Sequence, residues 1–519
     1  MKKKKISRRK FLTILGVTGG VLVAGGVGGA AYIRSRFTPD MTPGPGEDGE
    51  IVTVAEGQLQ GTINDGIYRY LGVPYAEAAE RFVTAGPVTP WEGVLKADSY
   101  GPMSPQGSML GFGVGNQDGT DNNCQNLNIW TPGLNDGGLR PVLVWLHGGG
   151  FSTGTANDSS YDGEALAKNG DVVVVSVNHR LNVFGYLDLS AYDEKYKDSA
   201  NVGMWDIIAA LEWIQQNIEV FGGDPDNVTV FGQSGGGAKV LGLMSTPYAV
   251  GLFHKGIVES GVTETVGVNF TSQEASTRLA ENLLAELNIA PENIEQLQTV
   301  AVDKLQSAAT KALDATAQEF QIPAPLTDGY QMEWEPVVDG DFLPTSPVTE
   351  TNFADAGQDI PLLIGSNLNE WTGFYRTSTD GVDTDALSAA LKTAYPDKTD
   401  LTADHVDTLI RLPILKTMSH KADQNGAPVY AYLLTYGSSN HGAEIPYIFR
   451  HSDVSAMNDL FSSIWVNFAR SGIPSADSLP TWEPYTREGG ATMLLDTTSQ
   501  LVYHHDDALL KLLVPDYEY

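Results

Sequence analysis

The sequence predicts an α/β fold: a mostly parallel central sheet with helices on both faces and helical cap insertions. Three observations carry this. Short apolar, β-branched runs recur at 141–146, 171–177, 227–231, 257–258, 362–364 and 429–434. Helix-period stretches lie between them, as at 205–220, where Ile208, Leu211, Ile214 and Ile218 fall on one face. The run at 171–177 is apolar nearly throughout, as a strand covered on both faces should be. Strands alternating with helices imply parallel pairing.

The chain has 519 residues, 42% hydrophobic and 18% charged, which is a globular composition. Net charge is −32, but nine basic residues and no acid lie in the first 36, so the remainder carries 23 basic against 64 acidic residues, or −41. A body this acidic repels nucleic acid and anionic membrane surfaces, so neither is an expected partner. The one cysteine, Cys124, excludes an intramolecular disulfide. Its neighbours at 122–126 offer no base, so it reads as an inert buried thiol.

Residues 1–36 read as an address or an N-terminal anchor. Lys2 to Lys5 and Arg8, Arg9 and Lys10 precede an uncharged stretch at 11–33 containing seven glycines. The segment at 7–12, Ser-Arg-Arg-Lys-Phe-Leu, resembles a bacterial twin-arginine export signal. The uncharged stretch is also long enough to span a bilayer, and 28–31 is a small-residue cleavage candidate. Residues 37–50 form a linker rich in proline, glycine and acid, and 51–519 read as one large domain. Within it, 272–313 and 380–421 are helix-rich insertions of the kind that cap a site and shape its pocket.

The chemistry begins at 231–236, Phe-Gly-Gln-Ser-Gly-Gly, which follows a strand and opens a helix. This is Gly-x-Ser-x-Gly in the context it requires: a strained strand-to-helix turn that exposes the Ser234 hydroxyl at a helix N-terminus. Glycines two before and two after the serine let neighbouring segments pass without a Cβ clash. The 146–151 segment, Leu-His-Gly-Gly-Gly-Phe, ends another strand and offers backbone N–H groups for an oxyanion. It lacks the Lys-Ser/Thr ending of a phosphate loop. A serine needs a base, and nine histidines compete for that role. His441 follows the late strand at 429–434, which suits the chain order serine, acid, histidine. The acid then lies between; Glu370, Asp380 and Asp383 are not separable by spacing.

From Gly57 to the C-terminus the chain resembles the type-B carboxylesterases, the family that includes bacterial p-nitrobenzyl esterases and cholinesterases. The matching stretches include 70–76 with Arg81-Phe82, 147–151, 178–186, 201–203, 221–227, the serine turn, 259–261, 365–370, 441–444, 465–470 and 482–485. The resemblance implies the α/β-hydrolase fold and a triad of Ser234, Glu370 and His441. It also implies an oxyanion hole of Gly149, Gly150 and Gly235, and a structural ion pair between Arg180 and Asp206. Three departures stand out. Asn122 replaces the glutamate that pairs with the arginine at Arg81, leaving Asp121 as the nearby acid, and the disulfide partner of Cys124 is absent. Gln233 stands where cholinesterases carry glutamate, and the loop at 111–123 lacks a choline-binding tryptophan, which argues against a cationic choline substrate. The expectation is an exported serine carboxylesterase acting on small-molecule esters, with no metal or organic cofactor. A silent binding protein, an acyl transferase and an amidase are the rival classes.

Overall fold

The computed structural model describes residues 40–107, 119–265, 268–324, 329–373 and 375–519. The segment at 1–36 and most of the 111–123 loop lie outside the described residues.

Thirteen strands form one sheet: β1 (Glu47–Val54), β2 (Gly57–Asn64), β3 (Ile67–Pro74), β4 (Val94–Lys96), β5 (Asn126–Thr131), β6 (Arg140–Leu146), β7 (Val173–Val177), β8 (Gly223–Gln233), β9 (Lys255–Glu259), β10 (Leu362–Asn367), β11 (Val429–Leu434), β12 (Ala491–Leu495) and β13 (Gln500–Tyr503). Their spatial order is β1-β2-β3-β5-β7-β6-β8-β9-β10-β11-β12-β13, with β4 beside β2. From β7 to β12 every pairing is parallel. The strands β1, β2, β3 and β5 at one edge and β13 at the other pair antiparallel with their neighbours in that order.

The central strands are buried on both faces, and their alternation feeds two cores. Val142, Val144 and Leu146 belong to one; Leu143 and Trp145 belong to the other. Helices α1 (Glu164–Gly170), α2 (Val202–Asn217), α3 (Gly235–Leu243), α4 (Gln273–Leu287), α5 (Val302–Phe320), α6 (Thr384–Ala394), α7 (Arg411–Asp423) and α8 (Ser455–Ser471) supply the layers. The first core gathers side chains of α2, α3, α4, α5 and α7, the second those of α1 and α8. The six strands read from the sequence are present, and so are helices in both insertions. The second insertion ends in α7, which packs on β10 and β11. The antiparallel edge had no comparable signal: β2, Gly-Gln-Leu-Gln-Gly-Thr-Ile-Asn, has only Leu59 and Gly61 fully buried.

Parallel strands deliver their C-terminal ends to one side of the sheet. β8, β10 and β11 stand close together in the strand order, so the loops after them meet there. The chain runs from those three ends into Ser234, Glu370 and His441 respectively.

Candidate active site

Ser234 joins β8 to α3 with φ 58° and ψ −124°, a conformation that a residue with a Cβ adopts only under constraint. Its N–H donates to the Glu259 carbonyl at 2.8 Å. The glycines supply the rest of the constraint. A Cβ on Gly232 would come within 2.6 Å of both the Gly236 carbonyl carbon and the Leu146 oxygen. The β8–α3 turn therefore nests against the end of β6. Ser234 is partly buried and caps the N-terminus of a nine-residue helix, where backbone N–H groups and the helix dipole favour negative charge.

Past Leu146 the chain turns back over this elbow. Gly149 and Gly150 take φ 92° and 61°, the left-handed region open to glycine. Three of the loop's carbonyls already have donors. Ser152 and Thr153 donate their N–H groups to the Gly149 oxygen at 3.3 and 3.1 Å. Lys239 Nζ donates to the oxygens of His147 and Gly150 at 2.9 and 3.0 Å. Gly149 and Gly150 donate no N–H to any described residue. Gly150 lies directly against Gly235, whose missing Cβ would stand 2.3 Å from the Gly150 oxygen. The three amides expected to form an oxyanion hole thus adjoin one another and the serine.

Glu370 follows β10 and is 2% exposed. Its Oε1 accepts from Ser260 Oγ at 2.6 Å and from the Asn367 N–H at 2.7 Å. Its Oε2 lies 2.5 Å from His441 Nδ1. The backbones are tied as well, with His441 N–H donating to the Glu370 carbonyl at 3.1 Å. Trp371 stacks on the imidazole, ring centroids 4.4 Å apart. His441 Nε2 is buried without a hydrogen-bond partner among the described residues, so no hydrogen bond joins it to Ser234 Oγ in this conformation. The histidine loop is nonetheless at the elbow: a Cβ on Gly442 would stand 3.7 Å from the Gln233 amide.

Four buried carboxyls shape the local field. Burial works against a charged His441, but Glu370 in contact, then Glu444 and Asp407, outweigh it and hold its pKa above the ordinary value. Burial first and the Glu370 charge second raise Asp407 and Glu444. Burial first and Glu444 second raise Glu259, whose Oε1 accepts from Trp465 Nε1 at 2.7 Å. Glu370 is the member satisfied by three donors, and it faces the imidazole.

The chain matches the model of the carboxylesterase family over residues 48–405 and 388–509. The chain belongs to the carboxylesterase family. Among its relatives is the para-nitrobenzyl esterase of Bacillus subtilis (strain 168), 33% identical over 486 residues, covering 86% of this chain and 95% of that protein. The phenmedipham hydrolase of Pseudarthrobacter oxydans is 30% identical over 492 residues, covering 86% and 94%. Among solved structures, an esterase of the anaerobe Clostridium hathewayi that can hydrolyse aliphatic aromatic polyesters superposes with a TM-score of 0.79 at 33% identity, covering 90% of this chain and 98% of that one. The protein is accordingly a serine carboxylic-ester hydrolase of the α/β-hydrolase fold.

In this carboxylesterase the other acids open to spacing lie apart from the histidine. Asp383 is exposed and caps α6 through the N–H groups of Asp385 and Ala386, and Asp380 is exposed. Arg180 and Asp206 form a buried two-pronged pair, at 2.8 and 2.6 Å. The acid left near Arg81 does not serve it. Asp121 accepts instead from the Asn123 N–H at 2.8 Å, and the Arg81 guanidinium donates to the carbonyls of Leu297 and Val300 at 3.2 and 2.6 Å. Two or more carbonyl acceptors can satisfy a guanidinium fork that has lost its carboxylate. Asp407, Trp371 and Lys239 were not read from the sequence as parts of the site. Ser260 lay in the matched stretch 259–261 without a role.

Proposed function

We propose that this protein is an exported carboxylesterase that works through an acyl-enzyme. One observation carries the catalytic part: the Glu370–His441 pair stands beside the strained Ser234 turn, with Nε2 unpartnered. His441 Nε2 takes the Ser234 proton as Oγ attacks the ester carbonyl. Glu370 fixes the tautomer that leaves Nε2 free and stabilises the imidazolium. The tetrahedral oxyanion forms against the N–H groups of Gly149, Gly150 and Gly235, the first two of which have no competing acceptor among the described residues. His441 then protonates the departing alcohol, leaving the acyl group on Ser234, and water repeats the cycle. The substrates are uncharged small-molecule esters. Gln233 beside the serine supplies no negative charge to attract a cationic alcohol.

The test is to purify residues 37–519 and a Ser234→Ala twin and assay both on p-nitrophenyl acetate, butyrate and octanoate. Turnover by the parent, with a fall of at least about 10³-fold in the twin, is the expected result. A covalent mass increase on Ser234 after brief exposure to substrate at low pH supports the acyl-enzyme. Equal activity of the two proteins overturns the assignment.

Export rests on the basic start at 2–10 and the uncharged stretch that follows. Replacing Arg8 and Arg9 by lysine in the full chain is expected to strand the esterase activity inside the producing bacterium. Unchanged release, or unchanged membrane association, counts against a twin-arginine route.

A further inference from the structure

Lys239 is wholly buried in α3, one turn and a half beyond the nucleophile, and no carboxylate pairs with it among the described residues. An ammonium in such a place needs a reason, since burial of an unpaired cation is costly. Its polar partners are two carbonyl oxygens, those of His147 at 2.9 Å and Gly150 at 3.0 Å. The Phe151 ring lies below it at 5.2 Å. The two carbonyls bracket the Gly148–Gly149 turn, so one side chain grips both ends of the segment that presents the oxyanion donors. The Gly149 carbonyl, between them, is held separately by Ser152 and Thr153.

We propose that Lys239 is a positioning residue for catalysis: it clamps the 147–150 loop from behind, so that the Gly149 and Gly150 N–H groups point at the developing oxyanion. The assignment rests on the reading of Ser234 and its neighbours given above. The geometry makes the clamp effective. Lys239 shares α3 with Gly235, the third expected donor, so loop and helix are locked into one unit. The Gly150 carbonyl accepts from Lys239, while the Gly150 N–H has no acceptor among the described residues. Without the lysine, two buried carbonyls would lose their donor, and the loop would have to rotate a peptide toward water or toward the site. Burial, with the neighbouring His147 and His179 rings offering no negative charge, lowers the amine to about 7. Charged or neutral, the group retains two N–H donors, so the clamp holds in either form.

The experiment compares the parent, Lys239→Met, Lys239→Gln and Ser234→Ala on p-nitrophenyl butyrate, and measures inhibition by an alkyl trifluoromethyl ketone, whose serine adduct carries an oxyanion. Methionine fills similar space without a donor; glutamine retains one N–H. The expected result for Lys239→Met is a kcat lower by roughly 10- to 100-fold, KM within about threefold of the parent, and a trifluoromethyl-ketone Ki raised in proportion to the loss in kcat/KM. Lys239→Gln should fall between the two. A merely structural lysine would lower the melting temperature without this link between kcat and analogue affinity. The proposal is overturned if a folded Met variant retains parental kcat and Ki, or if KM alone rises. It is also overturned if both variants fail to fold, which makes the lysine a determinant of the fold. A parent that hydrolyses no ester is a different failure, of the site's reading itself, and the Ser234→Ala control separates the two.

Discussion

His441 Nδ1 lies 2.5 Å from Glu370 Oε2, while Nε2 has no partner among the described residues. On the proposed mechanism this contact leaves Nε2 as the free nitrogen, and it raises the pH at which the imidazole loses its proton. A base must be neutral to accept the serine proton. Glu370, then Glu444 and Asp407, hold the imidazole above its ordinary value despite burial, so activity is expected to fall as pH drops through that raised value. The acid limb of kcat/KM is therefore expected to have its midpoint above 6.5. Glu370→Gln should move the limb to lower pH as the counter-charge disappears, and lower kcat by about 10²- to 10⁴-fold. A pH–rate profile of both proteins checks this; an unmoved limb would show that Glu370 does not set the titration.

Ser260 Oγ is 2.6 Å from Glu370 Oε1, sharing that oxygen with the Asn367 N–H. A hydrogen bond to a carboxylate contributes about 1.5–3 kcal/mol. In Ser260→Ala the backbone donor from Asn367 remains, but Glu370 is less tightly oriented. The expected outcome is a kcat lower by about tenfold with KM little changed. Steady-state kinetics on a short-chain ester decide it, and a variant with parental kcat would remove Ser260 from the machinery.

How far the sequence reached depended on whether the signal was local. The serine turn was legible because strand, glycine spacing and helix are contiguous at 227–241. His441 was legible from its place after β11, but Glu370 stood level with Asp380 and Asp383 until the family resemblance separated them. The structure shows why spacing was insufficient. Glu370 is distinguished by Ser260 and Asn367, which come from the ends of β9 and β10. Lys239 was invisible for a similar reason: its acceptors lie 92 and 89 residues away in sequence. The central strands could be read from apolar runs. β1, β2 and β4 could not, because an edge that is only half covered leaves polar residues within the strand; β5 is buried throughout, but Asn126, Asn128 and Thr131 interrupt its apolar run.

Arg180 and Asp206 are respectively 1% and 0% exposed. The carboxylate accepts from Arg180 Nε, from the terminal guanidinium nitrogen Nη2 and from the Arg180 and Gln125 N–H donors, so its charge is fully partnered. Asp206→Asn preserves the shape but leaves a buried guanidinium facing an amide. Breaking such a pair from one side costs about 3–5 kcal/mol. Urea denaturation should show a lower midpoint with an unchanged slope, because the loss is in stability and not in the surface exposed on unfolding. A midpoint equal to that of the parent would mean that water or a rearranged neighbour compensates the arginine.

The tightest approach in the site is made by Gly236. A Cβ there would lie 2.0 Å from the Leu146 oxygen and 3.0 Å from the Leu146 carbon. Both are main-chain atoms of β6, so no side-chain rotation relieves the overlap. Gly236→Ala must push α3 away from the end of β6, carrying Ser234 and Gly235 with it, while the 147–150 loop remains attached to β6. Nucleophile and loop donors then separate by a fraction of an ångström to an ångström, a displacement that costs on the order of 100-fold in rate. The expected variant folds with a reduced melting temperature and loses at least that factor in kcat/KM on p-nitrophenyl butyrate. The trifluoromethyl ketone supplies the decisive comparison. If catalysis falls because the loop donors no longer meet the oxyanion, the ketone's affinity falls in step with kcat/KM; if the affinity is retained, the geometry of nucleophile and oxyanion hole has survived and the packing argument fails.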